Sequence, residues 1–229
     1  MSFTILPWDT DFFNFNVARI DSGDTNDETL AALYSDNIRL AYFSSAHKVE
    51  CRANEFYEIK LVDEKLTFAK KTSNVILSDK IISYAKEYPE EGLIQLAIRS
   101  GKYSRYNIDE KIRSEKFEEL YRQWIIKSVS RELADEVLVY MENNIIAGFV
   151  TLGQKNNRAD IGIIAVEEAF GRRGIGKALI NAAEHYAAKK LSAIQVVTQG
   201  SNIAACKLYE SCGFKAEEPA YFYHLWKKD

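Results

Sequence analysis

The feature that most constrains this chain is a short glycine-rich turn, Gly171-Arg172-Arg173-Gly174-Ile175-Gly176, set between a strand-like run and a helix-like run. Upstream, Arg158 to Val166 ends in Ile161-Gly162-Ile163-Ile164-Ala165-Val166, which reads as a buried strand. Downstream, Ile175, Leu179, Ala182, Ala183 and Tyr186 fall on one helical stripe. Gly174 and Gly176 lack Cβ, so the backbone can turn tightly there and come close to an anion. A helix that opens in such a turn offers unpaired N–H groups and the positive end of its dipole. Arg172 and Arg173 add positive charge. On the loop alone, a pyrophosphate cradle and an ordinary strand-to-helix turn fit equally well. Two other nucleotide motifs fit badly. Walker A needs Ser or Thr after Gly-Lys, and Ala178 follows Lys177. The dinucleotide fingerprint needs a third glycine where Leu179 stands.

The pattern around the turn supports a layered α/β arrangement. Ala193 to Thr198 reads as a strand, and a second helix is expected from about Asn202 to Ser211, ended by Gly213 as a left-handed cap. Tyr221 to Trp226 opens a strand-rich tail, which leaves two outcomes: pairing across a homodimer, or closing its own sheet. In the middle, Phe117, Leu120, Tyr121, Trp124 and Ile125 mark a helix. Glu136 to Tyr140, the turn Glu142-Asn143-Asn144 and Ile145 to Leu152, interrupted by Gly148, form a hairpin signature. In the first half, Thr29 to Leu40 reads as a helix, and 56–62 and 65–69 as two strands. Ser83 to Glu91 carries Pro89 and several charges and reads as a linker. The expected division is an N-terminal α/β subdomain over 1–88 and a second domain over 89–229.

Bulk properties exclude several classes. Hydrophobic residues make up 47% and charged residues 28%, so the chain can build a core. A formal net charge of −3 with no basic block argues against nucleic acid as a partner. Three scattered cysteines and three distant histidines give neither a disulfide framework nor a metal site. No apolar run is long enough for a membrane span, and the start lacks a signal-peptide pattern. The expected compartment is the cytoplasm.

Two segments carry a family resemblance. Val166-Glu167-Glu168-Ala169-Phe170-Gly171-Arg172-Arg173-Gly174-Ile175-Gly176-Lys177-Ala178-Leu179 resembles the acetyl-CoA signature of GNAT acetyltransferases, (Gln/Arg)-x-x-Gly-x-(Gly/Ala), with Gly171 at its first position and Arg172 beside it. Asn202-Ile203-Ala204-Ala205-Cys206-Lys207-Leu208-Tyr209-Glu210-Ser211-Cys212-Gly213-Phe214 resembles the family's second signature, Asn-x-x-Ala-x-x-x-Tyr-x-x-x-Gly-Phe. The resemblance implies a GNAT fold, a mixed central sheet flanked by helices, with the N-terminal α/β subdomain added to it. It implies acetyl-CoA as co-substrate and a small-molecule amine as acceptor. The pantetheine arm is expected along Ile163, Ile164, Ala165 and Val166. The pyrophosphate is expected at Gly171, Arg172, Arg173, Gly174, Ile175, Gly176 and Lys177, with Asn202 contacting the cofactor. Tyr209 is the expected general acid towards the departing sulfur. An acetyl-enzyme route would need Cys206 as nucleophile, and nothing near it in sequence lowers its pKa. Asp63, Glu64 and Asp160 are candidates for the base by composition.

Trp8-Asp9-Thr10-Asp11-Phe12-Phe13-Asn14-Phe15-Asn16 resembles the opening of dTDP-fucosamine acetyltransferases, which acetylate the 4-amino group of a dTDP-linked 4-amino-4,6-dideoxyhexose. Ser104-Arg105-Tyr106, with Phe117, Tyr121 and Gln123-Trp124-Ile125, resembles their middle segment. The resemblance implies a nucleotide-sugar acceptor, with Arg105 and Tyr106 as substrate-binding residues. Rival acceptors are a protein N-terminus or a polyamine. A rival of another class is a sensor module that holds acyl-CoA without turnover.

Overall fold

The structure is a computed structural model and describes residues 3–21, 25–51 and 54–228. The elements run β1 (Phe3–Ile5), α1 (Pro7–Phe13), β2 (Val17–Ile20), α2 (Asp27–Ser35), β3 (Leu40–Ser45) and β4 (Tyr57–Lys71). They continue with β5 (Ile81–Ser83), α3 (Glu91–Ser100), α4 (Arg105–Ile108), α5 (Ser114–Val129), β6 (Glu136–Glu142), β7 (Ile145–Lys155) and β8 (Arg158–Val166). The last are α6 (Ile175–Ala187), β9 (Ala193–Gln199), α7 (Ile203–Ser211), β10 (Lys215–Ala216) and β11 (Ala220–Lys227). Set beside the expected division into 1–88 and 89–229, the contacts draw the line at Lys65/Leu66. One unit comprises Met1–Lys65 with Glu218–Asp229, the other Leu66–Glu217.

In the first unit β1 lies antiparallel to β2, β2 parallel to β3, and β11 sits between β3 and β4, antiparallel to both. The aromatic tail therefore closes its own sheet, with both of its edges paired within the chain. Alternation along these strands sends Phe43, Tyr223 and Leu225 to one face, where they pack with Leu30 and Leu33 of α2. Tyr42, His224 and Trp226 point the other way. There Tyr42 Oη donates to Asp9 Oδ1 at 3.1 Å, and Phe15 meets Trp226 edge-on. The helix read over Thr29 to Leu40 ends at Ser35, because Asn37 takes a left-handed conformation (φ 53°). Its N–H and that of Ile38 reach back to Tyr34 and Leu33 carbonyls, closing a Schellman motif. The two strands read at 56–62 and 65–69 are one strand, β4, with a register shift opposite Phe222 and Tyr223.

The second unit has the strand order β4-β9-β8-β7-β6-β5, with helices on both faces. Leu179, Ile180, Ala182 and Ala183 of α6 pack with Leu138, Val150, Leu152 and Ile161 on one side. Leu93, Leu96 and Ala97 of α3 and Ile125 of α5 pack with Val137, Val139 and Phe149 on the other. The hairpin turn Asn143-Asn144 has both residues at positive φ (50° and 63°), the type I′ geometry that matches strand twist, and Asn156-Asn157 repeats it between β7 and β8. Gly148 does not interrupt β7. A Cβ there would lie 2.8 Å from the Ala165 carbonyl oxygen and 3.2 Å from Ile175 Cγ2, so the glycine lets β8 and α6 close in. The segment read as a linker lies inside this unit: Tyr84 is buried, and its hydroxyl accepts from Glu90 N–H at 2.9 Å.

Lys70 and Glu184 form a charged pair at the edge of the core. Glu184 of α6 is 0% exposed; one oxygen accepts from both Ser73 N–H and Oγ, and the other meets Lys70 Nζ at 2.5 Å. Lys70 also donates to the Cys212 carbonyl at 2.8 Å. The pair joins β4, α6 and the end of α7. Lys70→Met would leave Glu184 charged and facing only Ser73. The expected cost in urea unfolding is about 3 kcal/mol, mostly recovered in Lys70→Met/Glu184→Leu. A single-variant loss below about 0.5 kcal/mol would place this pair with surface ion pairs in weight.

Candidate acyl-CoA site

The glycine-rich turn sits where the sequence placed it, between β8 and α6. Gly174 is the N-cap of α6 at φ 79°, and no side chain caps the helix. Arg172 also has positive φ (61°), a conformation that costs a residue with a Cβ on the order of 1 kcal/mol. Ala178 N–H is the first of the helix to find an acceptor, the Gly174 carbonyl, at 3.0 Å. From Arg172 to Lys177, no backbone N–H makes a hydrogen bond among the described residues. A run of donors bent by left-handed residues is an anion nest, and the helix dipole adds to it. Arg172, Arg173 and Lys177 are exposed around it, with the Arg173 guanidinium over the Phe170 ring at 5.2 Å. Arg99, at the end of α3, pairs with Glu167 just before the turn, a contact the sequence did not signal.

The strand before the turn is built to leave backbone unpaired. β8 pairs with β9 in parallel for three residues, Ala159↔Ile194, Asp160↔Gln195 and Ile161↔Val196. Beyond that, Ile163, Ile164, Ala165 and Val166 have no ladder partner on the β9 side among the described residues, and all four are half-buried. Ile164, Ala165 and Val166 stay paired to β7 on the other side, Gly148↔Val166 through Val150↔Ile164. The backbone groups on the β9 side thus have no strand to pair with among the described residues. An extended chain with amide groups could complete that ladder, as an added strand does.

α7 closes the site from its other side. Asn202 is its N-cap, with Oδ1 accepting from Ala205 N–H at 3.3 Å, and its Nδ2 makes no hydrogen bond among the described residues. Tyr209 is 3% exposed, between Phe68 (ring centroids 5.5 Å) and Phe214 (6.1 Å). Burial pushes its phenol well above the usual range, so the proton stays on through neutral pH. Its hydroxyl makes no hydrogen bond among the described residues. Gly213 (φ 83°) ends α7 in a Schellman motif, with Phe214 N–H to the Tyr209 carbonyl and Gly213 N–H to that of Glu210. The neighbour of Tyr209, Leu208, lies against the turn, since a Cβ on Gly176 would meet Leu208 Cδ2 at 2.9 Å. Cys206 has its thiol pushed up by burial and by Glu210, which disfavours the thiolate that covalent catalysis needs.

Of the remaining sequence-selected residues, Arg105 and Tyr106 lie on α4, Asp63 and Glu64 on β4, and Asp160 on β8. Ser104 caps α4, accepting from Tyr106 N–H at 3.2 Å, and Arg105 donates to Tyr106 Oη at 2.6 Å with its guanidinium 4.7 Å above that ring. Tyr106 in turn meets Trp124 edge-on. Asp63 is buried on β4 and Glu64 is exposed. Asp160 accepts from Gln195 Nε2 at 2.7 Å. No group of three or more His, Cys, Asp or Glu among the described residues could hold a metal, and no described helix is long and apolar enough to cross a membrane.

Comparison with known proteins assigns this architecture. Residues 94–214 match the model of the acetyltransferase (GNAT) family. The chain belongs to that family, whose acyl donor is acetyl-CoA. Over 137 residues it is 28% identical to the spore coat polysaccharide biosynthesis protein SpsD of Bacillus subtilis, covering 59% of this chain and 47% of that one. The chain thus spans about half the length of SpsD. It is 31% identical over 110 residues to the uncharacterised N-acetyltransferase YvbK of the same organism, 44% of this chain and 70% of that one. Among solved structures, a GCN5-related N-acetyltransferase from Sphaerobacter thermophilus superposes with a TM-score of 0.55 at 11% identity, over 98% of this chain and 76% of that one, which shows a shared fold.

The contact between Gly176 and Leu208 can be tested by a double-mutant cycle. Gly176→Ala should destabilise by about 1–2 kcal/mol through overpacking, and most of that should vanish in a Leu208→Ala background. Additive effects in urea denaturation would mean the two positions do not press on each other.

Proposed function

We propose that this chain is an N-acetyltransferase that moves an acetyl group from acetyl-CoA to the 4-amino group of a dTDP-linked 4-amino-4,6-dideoxy sugar. The observation that carries the transferase part is the unpaired stretch of β8 running straight into the nest of free N–H groups at Arg172 to Lys177. That pair suits a ligand with an amide-bearing arm and a pyrophosphate. Ile163 to Val166 would hold the pantetheine arm, and Gly171 to Lys177 the pyrophosphate. The Nδ2 of Asn202 remains available as a donor to the cofactor. Bound acetyl-CoA supplies the acetyl group as an activated thioester.

The chain's own residues then orient and move protons. The phenol of Tyr209, kept protonated by burial, donates its proton to the departing thiolate. A neutral acceptor amine attacks directly in a ternary complex. The C–N bond forms as the C–S bond breaks, the proton lost by the nitrogen passes to solvent and the Tyr209 phenolate regains one from it. The raised thiol of Cys206 argues against an acetyl-enzyme. An amine with a pKa of roughly 8 is partly neutral at pH 7, so a strong base is not required.

The sugar part of the reading rests on the N-terminal and middle sequence resemblances. The relation to SpsD, by name a polysaccharide biosynthesis protein, fits them. Arg105 and Tyr106 would meet the acceptor, the guanidinium already fixed by its own tyrosine and so ordered at little further cost. The N-terminal α/β part would share in acceptor recognition.

Thiol release from acetyl-CoA, followed with a panel of amines, tests this directly. The panel holds both epimers of the dTDP-4-amino sugar, UDP-linked analogues, spermidine and a Ser/Ala-starting peptide. Release with one dTDP sugar is the expected result. Release with spermidine or peptide alone would overturn the sugar, and silence with acetyl-CoA still bound would favour a sensor module. Tyr209→Phe should lower kcat roughly 100-fold with little change in the KM for acetyl-CoA. Full activity in that variant would remove Tyr209 from the mechanism.

A further inference from the structure

The unpaired side of β8 depends on a defect in its ladder with β7. Val150 pairs with Ile164, but Leu152 pairs with Ile161, so Gly162 and Ile163 together oppose the single residue Thr151. This is a β-bulge. Its effect on side-chain direction is plain in the packing. Ala159 and Ile161 face the α6 side before the bulge, and Ile164 and Val166 face that same side after it. Ile163 and Ala165 turn to the α3 side. The bulge is also where β8 leaves β9, whose last paired residue is Val196 opposite Ile161.

Thr151 is 2% exposed, and its Oγ1 accepts from Ile163 N–H at 2.9 Å. A side-chain oxygen thus replaces the ladder carbonyl that the bulge removes. The fit is close on the other bulge residue too: a Cβ on Gly162 would stand 3.0 Å from the same oxygen. A buried hydroxyl on a central strand would otherwise be a poor choice beside Val150 and Leu152, both buried apolar residues.

We infer that Thr151 is a positioning residue for acyl-CoA, its hydroxyl holding the β8 bulge so that the backbone of Ile163–Val166 faces the pantetheine arm. The inference rests on the transferase reading above and adds to it a residue that contacts no ligand. Valine keeps the shape of threonine and removes the acceptor, and serine restores the acceptor.

Binding of acetyl-CoA and of adenosine 3′,5′-bisphosphate, which lacks the pantetheine arm, should be measured by calorimetry on wild type, Thr151→Val and Thr151→Ser. Expected is a roughly tenfold weaker acetyl-CoA affinity in Thr151→Val, unchanged bisphosphate affinity, and recovery in Thr151→Ser. Amide exchange at Ile163 should quicken in Thr151→Val. Equal weakening of both ligands would make Thr151 a general structural residue and overturn the inference while leaving the transferase reading intact. Unchanged affinity for both would overturn it as well. A wild-type chain that binds no acetyl-CoA would overturn the transferase reading, and this inference with it. Should Thr151→Val fail to fold, Thr151→Ala takes its place: faster exchange at Ile163 and weaker acetyl-CoA binding in Thr151→Ala than in Thr151→Ser would support the hydroxyl's role, and identical behaviour of the two would oppose it.

Discussion

The close seating of α6 on the sheet is the constraint from which the site follows. Ile175 and Leu179 stand directly over Gly148, and the glycine removes the one Cβ that would hold both the helix and the Ala165 carbonyl away. Because Ile175 is at once the first helical residue and a core residue (2% exposed), the helix start cannot drift. The free N–H groups of the turn are then fixed by hydrophobic packing beneath them, with no side-chain cap to compete with an incoming anion. An N-cap Ser or Asp would stabilise the helix by about 1 kcal/mol and fill the same donors. Gly174 leaves them open.

The second layer of order comes from the polar residues inside this unit. Glu184 lies three turns along α6 from the nest, and through Lys70 it reaches the last carbonyls of α7. Lys70 also sits over the Phe214 ring at 5.0 Å, and Phe214 packs on Tyr209. One buried pair therefore sets α6 and α7 against each other, while Leu208 meets Gly176 at the start of α6. Buried ion pairs contribute little net stability compared with apolar residues, but they tolerate fewer alternative arrangements. That suits a helix to which the proposed function gives a proton donor.

Local motifs were legible in the sequence and long-range pairings were not. The bounds of β8, the start of α6, the two ends of α7 and the left-handed Gly213 follow from residues within a few positions of each other, so pattern and turn chemistry decide them. The end of α2 was missed because Asn37, not Gly, supplies the left-handed residue. β4 runs on through Asp63 and Glu64, which pair with Phe222 and Tyr221, and its register shift against β11 falls at Val62, a long-range feature no local pattern carries. The membership of the last strand in the first unit, the Lys70–Glu184 pair and the Arg99–Glu167 pair join positions far apart in the chain. No window of sequence contains both partners. Thr151 illustrates the limit most clearly: in sequence it is one more β-branched residue in a strand, and its role exists only against Gly162 and Ile163.

The same burial that hides Tyr209 also separates two chemistries available on one helix. Cys206 and Tyr209 lie one turn apart on α7, and low dielectric raises the pKa of both. For a thiol that must ionise to attack, the shift is a handicap. For the phenol, which in the proposed reaction would hold its proton until a thiolate forms beside it, the shift is harmless at neutral pH, because the unperturbed value near 10 already keeps it protonated. What burial adds is exclusion of water from the phenol. In the proposed reading, a single environment thus disfavours the Cys206 thiolate and keeps the Tyr209 proton in place, which is consistent with direct attack by the acceptor amine.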